Sequence, residues 1–173
     1  MGTYLNPESA RFVEALDSEV FVDKTEMLAH LNSLVRTKQK YLSVSRPRRF
    51  GKTMAADMVC AYYGRSIDDA REMFEQLGIA QAPPTNTRRR ELAWDAYLGS
   101  FDVVRLTMTE FLKDSEGVRD MLARMTEAVV AELAEAYPDA ILGSRPDLLG
   151  AMRRAYAHTR VPFVLVVDEW DAP

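Results

Sequence analysis

The chain has 173 residues, of which 47% are apolar and 28% are charged, and its formal net charge at pH 7 is -4. These values fit one ordinary globular domain and exclude an overall basic surface, so a role with nucleic acid would need a local basic patch. A single cysteine, Cys60, excludes an intrachain disulfide, and no run approaches the ~20 apolar residues that span a bilayer. We therefore expect a cytoplasmic protein without a membrane segment.

The first part of the chain predicts helices on both sides of a short strand. Apolar residues recur at helical spacing over residues 24–36, with Thr25 available as a cap. Alternation over residues 41–45 predicts a short strand, which Pro47 prevents from continuing. A second helix is predicted over residues 52–63.

Further helices and one strand are predicted in the middle of the chain. A third helix begins at a capping box formed by Ser66 and Asp69, and Gly78 is predicted to stop it. Residues 80–100 contain prolines and consecutive arginines and predict a loop. The β-branched residues within 101–107 then predict a strand.

The last part of the chain predicts two helices and a buried strand. One face of a long helix is traced over residues 121–133, and Ser144 with Asp147 is predicted to cap a further helix. The almost unbroken apolar run at residues 161–167 predicts a strand covered by helices on both faces, as in a parallel sheet. Strands separated by helices predict an α/β fold of βαβ units.

Two stretches carry candidate chemistry, and the first is Ser-Arg-Pro-Arg-Arg-Phe-Gly-Lys-Thr at residues 45–53. Backbone N–H groups and the dipole at a helix N-terminus attract phosphate, while Lys52 can reach the outer phosphates and the Thr53 hydroxyl can bind Mg²⁺. Gly51 lets the backbone approach the phosphate closely. On its own, however, Gly-Lys-Thr also fits a cationic helix start on a solvated surface.

The second stretch is Phe-Val-Leu-Val-Val-Asp-Glu at residues 163–169. In P-loop ATPases a buried strand ends in an aspartate that orders Mg²⁺, and a following glutamate polarises the attacking water. Asp168 and Glu169 fit these roles, although an acidic loop after a core strand is a plain alternative. Both stretches end predicted parallel strands, at the edge where open α/β folds bind ligands, and together they predict a nucleotide site.

Four segments resemble the AAA-ATPase-like family of bacterial and archaeal proteins. In that family the phosphate loop typically reads Ser-Arg-Pro-Arg-Arg-Phe-Gly-Lys-Ser/Thr, and the second acidic motif reads Asp-Glu-Tyr-Asp-x-Pro. The likeness covers nearly the whole chain and departs mildly from the pattern at Trp170 and Ala172. The segments are Phe-Val-Asp-Lys-Thr-Glu-Met-Leu at 21–28, the loop at 45–53, Met-Phe-Glu-Gln-Leu-Gly-Ile at 73–79 and Val-Leu-Val-Val-Asp-Glu-Trp-Asp-Ala-Pro at 164–173.

The resemblance implies a P-loop NTPase-type parallel sheet flanked by helices, which binds ATP with Mg²⁺ and hydrolyses ATP in the full-length protein. It also implies further strands after the second acidic motif, so we expect residues 1–173 to be the N-terminal part of a single AAA-like ATPase domain. Many family members continue into a restriction-nuclease-like domain. The implied nucleotide-binding residues are Arg46, Pro47, Arg48, Arg49, Phe50, Gly51, Lys52 and Thr53, the implied metal ligands are Thr53 and Asp168, and the implied catalytic acid is Glu169.

Three questions stay open on the sequence alone. A nucleotide-gated binding module, in which ATP occupancy switches a protein or nucleic-acid surface with little or no turnover, is the alternative to an ATPase. The family hallmark Asp-Lys-Thr at residues 23–25 fits a place beside the nucleotide and fits a plain helix cap equally well. The arginines at residues 88–90 fit a solvated basic turn better than a nucleic-acid contact.

Overall fold

The computed structural model describes residues 2–45, 47, 50–65, 69–86, 91–140 and 147–171. The chain divides into two compact units, which we call the sheet unit (Met1–Glu8 and Ser100–Pro173) and the helical unit (Ser9–Gly99). None of the described helices combines the length and apolar character needed to cross a membrane. The helices are α1 (Ala10–Leu16), α2 (Glu26–Leu34), α3 (Lys52–Tyr63), α4 (Ala70–Phe74), α5 (Gly78–Gln81), α6 (Met108–Lys113), α7 (Val118–Ala136) and α8 (Leu148–Thr159), and the strands are β1 (Thr85–Asn86), β2 (Glu91–Leu92), β3 (Asp102–Thr107) and β4 (Phe163–Asp168).

The sheet unit is built around two parallel strands. β3 and β4 pair in parallel from Asp102 opposite Phe163 to Thr107 opposite Asp168, and α6, α7 and α8 connect them. The other edge of β3 meets the N-terminal segment in an antiparallel bridge at Leu5. This arrangement confirms both strands predicted in the second half of the chain and agrees with an α/β fold.

The core of the sheet unit lies between β3 and the two long helices that follow it. α7 confirms the predicted long helix, and α8 packs against it through alanines that are fully buried. Small side chains at these positions let the two helices approach closely. The buried cluster consists of Leu5, Val104, Leu106, Phe111, Met121, Val129, Leu133, Tyr137, Ala151 and Ala155.

One expectation about β4 is wrong. Its apolar run predicted cover on both faces, but the side chains of Leu165 and Val167 are 52% and 43% exposed. A run of β-branched and aliphatic residues indicates a strand, yet it does not specify how many layers cover that strand. Among the described residues, the face of β4 that carries Leu165 and Val167 is therefore largely exposed, and the opposite face is partly buried.

The helical unit is organised around α3, whose bounds are those predicted from the sequence. The inward side of α3 is buried, and its last two residues, Tyr62 and Tyr63, form a polar network with Asn32 of α2. Asn32 Nδ2 donates to the Tyr62 hydroxyl at 2.7 Å, and the Tyr63 hydroxyl donates to Asn32 Oδ1 at 2.8 Å. Burial raises the pKa of Tyr62 to about 12, so this hydroxyl stays protonated in the core.

The strand predicted at residues 41–45 is absent. The segment has no regular secondary structure and is exposed, with Tyr41, Leu42 and Val44 exposed by 84%, 47% and 43%. Alternation of apolar residues predicts a strand only where a neighbouring strand completes its hydrogen bonds. Within the described part of the chain, nothing pairs with this segment.

Three smaller expectations for the helical unit also change. Gly78 begins α5 instead of ending the preceding helix, which is the short α4. Residues predicted as a loop contain the two short strands β1 and β2, which pair antiparallel. α1 was not predicted, and Phe12 is its only buried residue. Ser66, Ser144 and the arginines at 88–90 lie outside the described residues.

Candidate functional site

The candidate phosphate loop leads directly into α3. Gly51 is the N-cap residue of this helix and has the left-handed angles φ 73° and ψ 32°. Glycine adopts this conformation at no steric cost, whereas other residues rarely do. A Cβ atom at this position would lie 2.8 Å from Lys24 Nζ. The left-handed backbone conformation therefore favours glycine here, and the tip of the Lys24 side chain would have to shift to admit any other residue.

The first turn of α3 has the features of an anion-binding end. Lys52 and Thr53 are its first two residues, Lys52 half-buried and Thr53 exposed, and no acidic residue lies in the turn. The N–H groups at a helix start have no partner within the helix, and the helix dipole adds partial positive charge. Of the other predicted loop residues, Pro47 and Phe50 are exposed. Arg46, Arg48 and Arg49 lie outside the described residues.

Lys24 contacts this loop from a distant part of the sequence. Its Nζ donates a hydrogen bond of 2.8 Å to the carbonyl oxygen of Phe50, the residue before Gly51. Sequence reasoning left two alternatives for residues 23–25, and the described contact favours a place beside the loop. Thr25 occupies the N-cap position of α2, but its side chain makes no cap hydrogen bond.

The residues on both sides of Lys24 are fixed to the start of α5. One oxygen of Asp23 accepts hydrogen bonds from the N–H and hydroxyl of Thr25, at 2.8 and 2.7 Å. The other oxygen of Asp23 accepts from Gly78 N at 2.6 Å, and the Thr25 hydroxyl accepts from Ile79 N at 3.0 Å. Asp23 and Thr25 therefore anchor the segment that carries Lys24.

This anchor predicts a pH dependence of stability. Burial alone would raise the pKa of Asp23, but hydrogen bonds from Thr25 and Gly78 outweigh burial and lower it. A carboxyl group with a lowered folded-state pKa stabilises the fold above its unfolded pKa, and the contribution disappears as pH falls through the folded value. We expect the free energy of unfolding to decrease below about pH 4, and Asp23→Asn to flatten this decrease.

Urea denaturation across a pH series that runs from neutral into the acid range measures this effect. Asp17→Asn is the matched control, because Asp17 is an exposed aspartate of the same unit. An identical acid slope in wild type and Asp23→Asn would contradict the anchoring role of this carboxylate.

The candidate metal ligand ends β4 in the sheet unit. Asp168 is the last residue of the strand and is only 7% exposed. Its Oδ1 accepts a 3.0 Å hydrogen bond from Glu169 N, while its buried Oδ2 accepts no hydrogen bond from the described residues. Oδ2 lies 4.0 Å from Nη2 of Arg105, a residue of β3 that the sequence did not single out. A buried carboxylate oxygen with unused acceptor capacity suits a hard divalent cation.

The candidate catalytic acid follows Asp168 immediately. Glu169 is exposed and has φ 53°, a left-handed conformation that is uncommon for residues other than glycine. Its Oε2 accepts a hydrogen bond from the hydroxyl of Thr109, which lies just beyond the end of β3. Two neighbouring parallel strands thus hold both acidic side chains at the same edge of the sheet.

Comparison with models of protein families shows which family the chain belongs to. A family model described as Predicted AAA-ATPase matches residues 12–173. The chain belongs to the AAA-ATPase-like family. This match confirms the resemblance predicted from the sequence and suggests nucleotide use. No curated protein and no solved structure gives a significant match.

The AAA-ATPase-like motifs are distributed over both units. The phosphate-loop residues belong to the helical unit, whereas Asp168 and Glu169 belong to the sheet unit. Their assembly into one nucleotide site, and a single domain over residues 1–173, stay predictions. The described residues contain no group of three or more His, Cys, Asp or Glu side chains that could hold a metal ion.

Proposed function

We propose that this protein is a P-loop ATPase, with a P-loop NTPase-type parallel sheet, that binds ATP with Mg²⁺ and hydrolyses it in the full-length protein. The observation that carries the proposal is the left-handed Gly51 at the start of α3, directly before Lys52 and Thr53. A helix N-terminus of this kind, preceded by a glycine that clears space for the backbone, suits the phosphates of a nucleotide. Membership of the AAA-ATPase-like family supports the same assignment.

The proposed roles follow from the chemistry of each group. The N–H groups of the first turn of α3 and the ammonium of Lys52 bind the phosphates, and Arg46, Arg48 and Arg49 are proposed to lie near them. The Thr53 hydroxyl and Oδ2 of Asp168 are proposed to hold Mg²⁺. When bound, Mg²⁺ neutralises negative charge on the phosphates. Glu169 orients the attacking water and accepts its proton.

A binding measurement tests the proposal before any hydrolysis is assayed. We expect Mg-ATP at about 100 times its dissociation constant to stabilise the protein by about 2.7 kcal/mol. Thermal denaturation with increasing Mg-ATP measures this shift. Adenosine, which has no phosphate, Mg²⁺ alone, and ATP with a chelator are the controls. The absence of any shift with Mg-ATP would contradict nucleotide binding.

The second candidate function is a nucleotide-gated binding module with little or no turnover. The hydrogen bond from the Thr109 hydroxyl to Glu169 favours it, because this bond occupies one of the two carboxylate oxygens of the proposed base. In this case ATP binding would change the affinity for a protein or nucleic-acid partner. Turnover measured beside nucleotide-dependent binding distinguishes the two functions, since fast turnover that no partner alters would count against the switch.

A further inference from the structure

Lys24 lies against the candidate phosphate loop without being part of it in sequence. Its ammonium donates to the carbonyl oxygen of Phe50 at 2.8 Å and would lie 2.8 Å from a Cβ at Gly51. Within the described residues Lys24 forms no ion pair, although acidic side chains flank it at Asp23 and Glu26. The long side chain of Lys24 is therefore directed at one peptide group, the one that joins Phe50 to Gly51.

Because of the geometry of a peptide group, this contact also fixes the direction of the Gly51 N–H. The peptide unit is planar and trans, so its carbonyl oxygen and its N–H point in opposite directions. By holding the Phe50 carbonyl on its own side, Lys24 fixes the Gly51 N–H on the opposite side. Without Lys24 this peptide could rotate more easily, because Gly51 has no Cβ that would oppose the rotation sterically.

The direction of this N–H matters for phosphate binding. Phosphate oxygens accept hydrogen bonds from N–H groups and are repelled by carbonyl oxygens. A loop in which the Phe50 carbonyl turned towards the phosphates would lose one donor and gain one repulsive oxygen. The bond from Lys24 prevents this arrangement before the ligand binds.

The support of Lys24 is itself rigid. Asp23 accepts hydrogen bonds from Gly78 N as well as from Thr25, and Thr25 is fully buried and accepts from Ile79 N. Lys24 is thus attached on both sides to the start of α5. A side chain held at its base orients a loop more effectively than one on a mobile segment.

We propose that Lys24 is a positioning residue of the nucleotide site, which orients the Phe50–Gly51 peptide so that the Gly51 N–H faces the phosphates. This inference rests on the proposed function, because it requires the loop before α3 to bind nucleotide. It assigns the Asp-Lys-Thr segment to the binding site and not to helix capping. Lys24 acts through the loop and does not contact the ligand.

Substitution of Lys24 tests this inference. Lys24→Met removes the hydrogen bond that orients this peptide, so we expect it to weaken ATP binding about tenfold or more. ADP binding should weaken equally, because loop N–H groups contact phosphates that ATP and ADP share. Lys24→Arg keeps a cationic donor and should recover most of the affinity. Isothermal titration with Mg-ATP and Mg-ADP measures these values.

Two further measurements separate positioning from a purely structural role. The Gly51 amide resonance should shift in Lys24→Met without nucleotide, and should not shift in the matched control Lys38→Met, in which an exposed lysine of the same unit is replaced. If Lys24→Met does not fold, Asp23→Asn releases the base of Lys24 while keeping its ammonium, and weaker binding of both nucleotides is again expected.

The outcomes distinguish this inference from the proposed function. Failure of wild type to bind nucleotide would overturn the proposed function. If wild type binds and Lys52→Ala binds far more weakly, unchanged affinity in Lys24→Met would overturn the positioning role alone. A loss confined to ATP would also overturn it, because it would indicate direct contact with the terminal phosphate. A lower thermal midpoint with unchanged affinities would assign Lys24 a structural role only.

Discussion

Replacement of Lys52 by alanine is expected to lower ATP affinity by about 100-fold, because an ammonium that pairs with phosphate oxygens makes hydrogen bonds of about 1.5–3 kcal/mol. Lys52 is the first residue of α3 and is half-buried, so its charge is less screened by water than that of a surface lysine. Isothermal titration with Mg-ATP measures the loss. Alanine is a strong helix former, so α3 should persist.

Lys38→Ala is the matched control for this experiment. Lys38 is exposed and lies in the same unit, outside every described helix and strand. The Lys38→Ala substitution removes one positive charge, as Lys52→Ala does, but leaves the charge at the start of α3 in place. Both variants should keep the circular dichroism spectrum and the nucleotide-free thermal midpoint of wild type. Undiminished ATP affinity in Lys52→Ala would contradict the assignment of the phosphate loop.

Elements that depend on local sequence signals were predictable. α3 has the predicted bounds because Gly51 and Gly64 flank a run of good helix formers. β3 and the long helix α7 were likewise predicted, because a β-branched run indicates the strand and a helical period of apolar residues indicates the helix, and both patterns lie within the element itself. The parallel direction of β3 and β4 agrees with the predicted βαβ organisation, because parallel strands need a long crossover, but the sequence did not predict that these two strands pair.

Elements that depend on distant partners were not predictable in the same way. Residues 41–45 have the alternation of a strand, but a strand also needs a neighbour, and no local signal specifies one. The exposure of Leu165 was not predictable for the same reason, because only a distant segment of the chain could cover that face of β4. Gly78 was expected to end a helix, yet its N–H donates to Asp23, more than fifty residues earlier in the chain.

In the candidate site, the motif residues were predictable from the sequence, whereas the contacts that support them were not. Gly51, Lys52 and Thr53 form a continuous motif whose spacing alone indicates phosphate chemistry. The contacts that support such residues come from other elements, as Lys24 does for the loop and Arg105 for Asp168. These pairs are far apart in sequence, and a single sequence contains no signal that links them. Only the family hallmark at residues 23–25 indicated that Lys24 could lie beside the nucleotide.

The substitution Glu169→Gln is expected to separate ATP binding from hydrolysis. A positioned general base contributes about 10²–10⁴ to a rate, so the hydrolysis rate of the full-length protein should fall by at least about 100-fold. ATP affinity should change little, because Glu169 is proposed to act on water and not on the nucleotide. Phosphate release under single-turnover conditions measures the rate, and isothermal titration measures the affinity.

Glutamine suits this test because it preserves the contact of Glu169 while removing its basicity. The amide oxygen of glutamine can still accept the hydrogen bond from the Thr109 hydroxyl, so the side chain keeps its orientation. Glu127→Gln, an exposed substitution on α7 in the same unit, is the control for the change in charge. A normal hydrolysis rate in Glu169→Gln would contradict the role of this residue as the base. Equal losses of rate and affinity would instead indicate that the acidic segment holds the nucleotide.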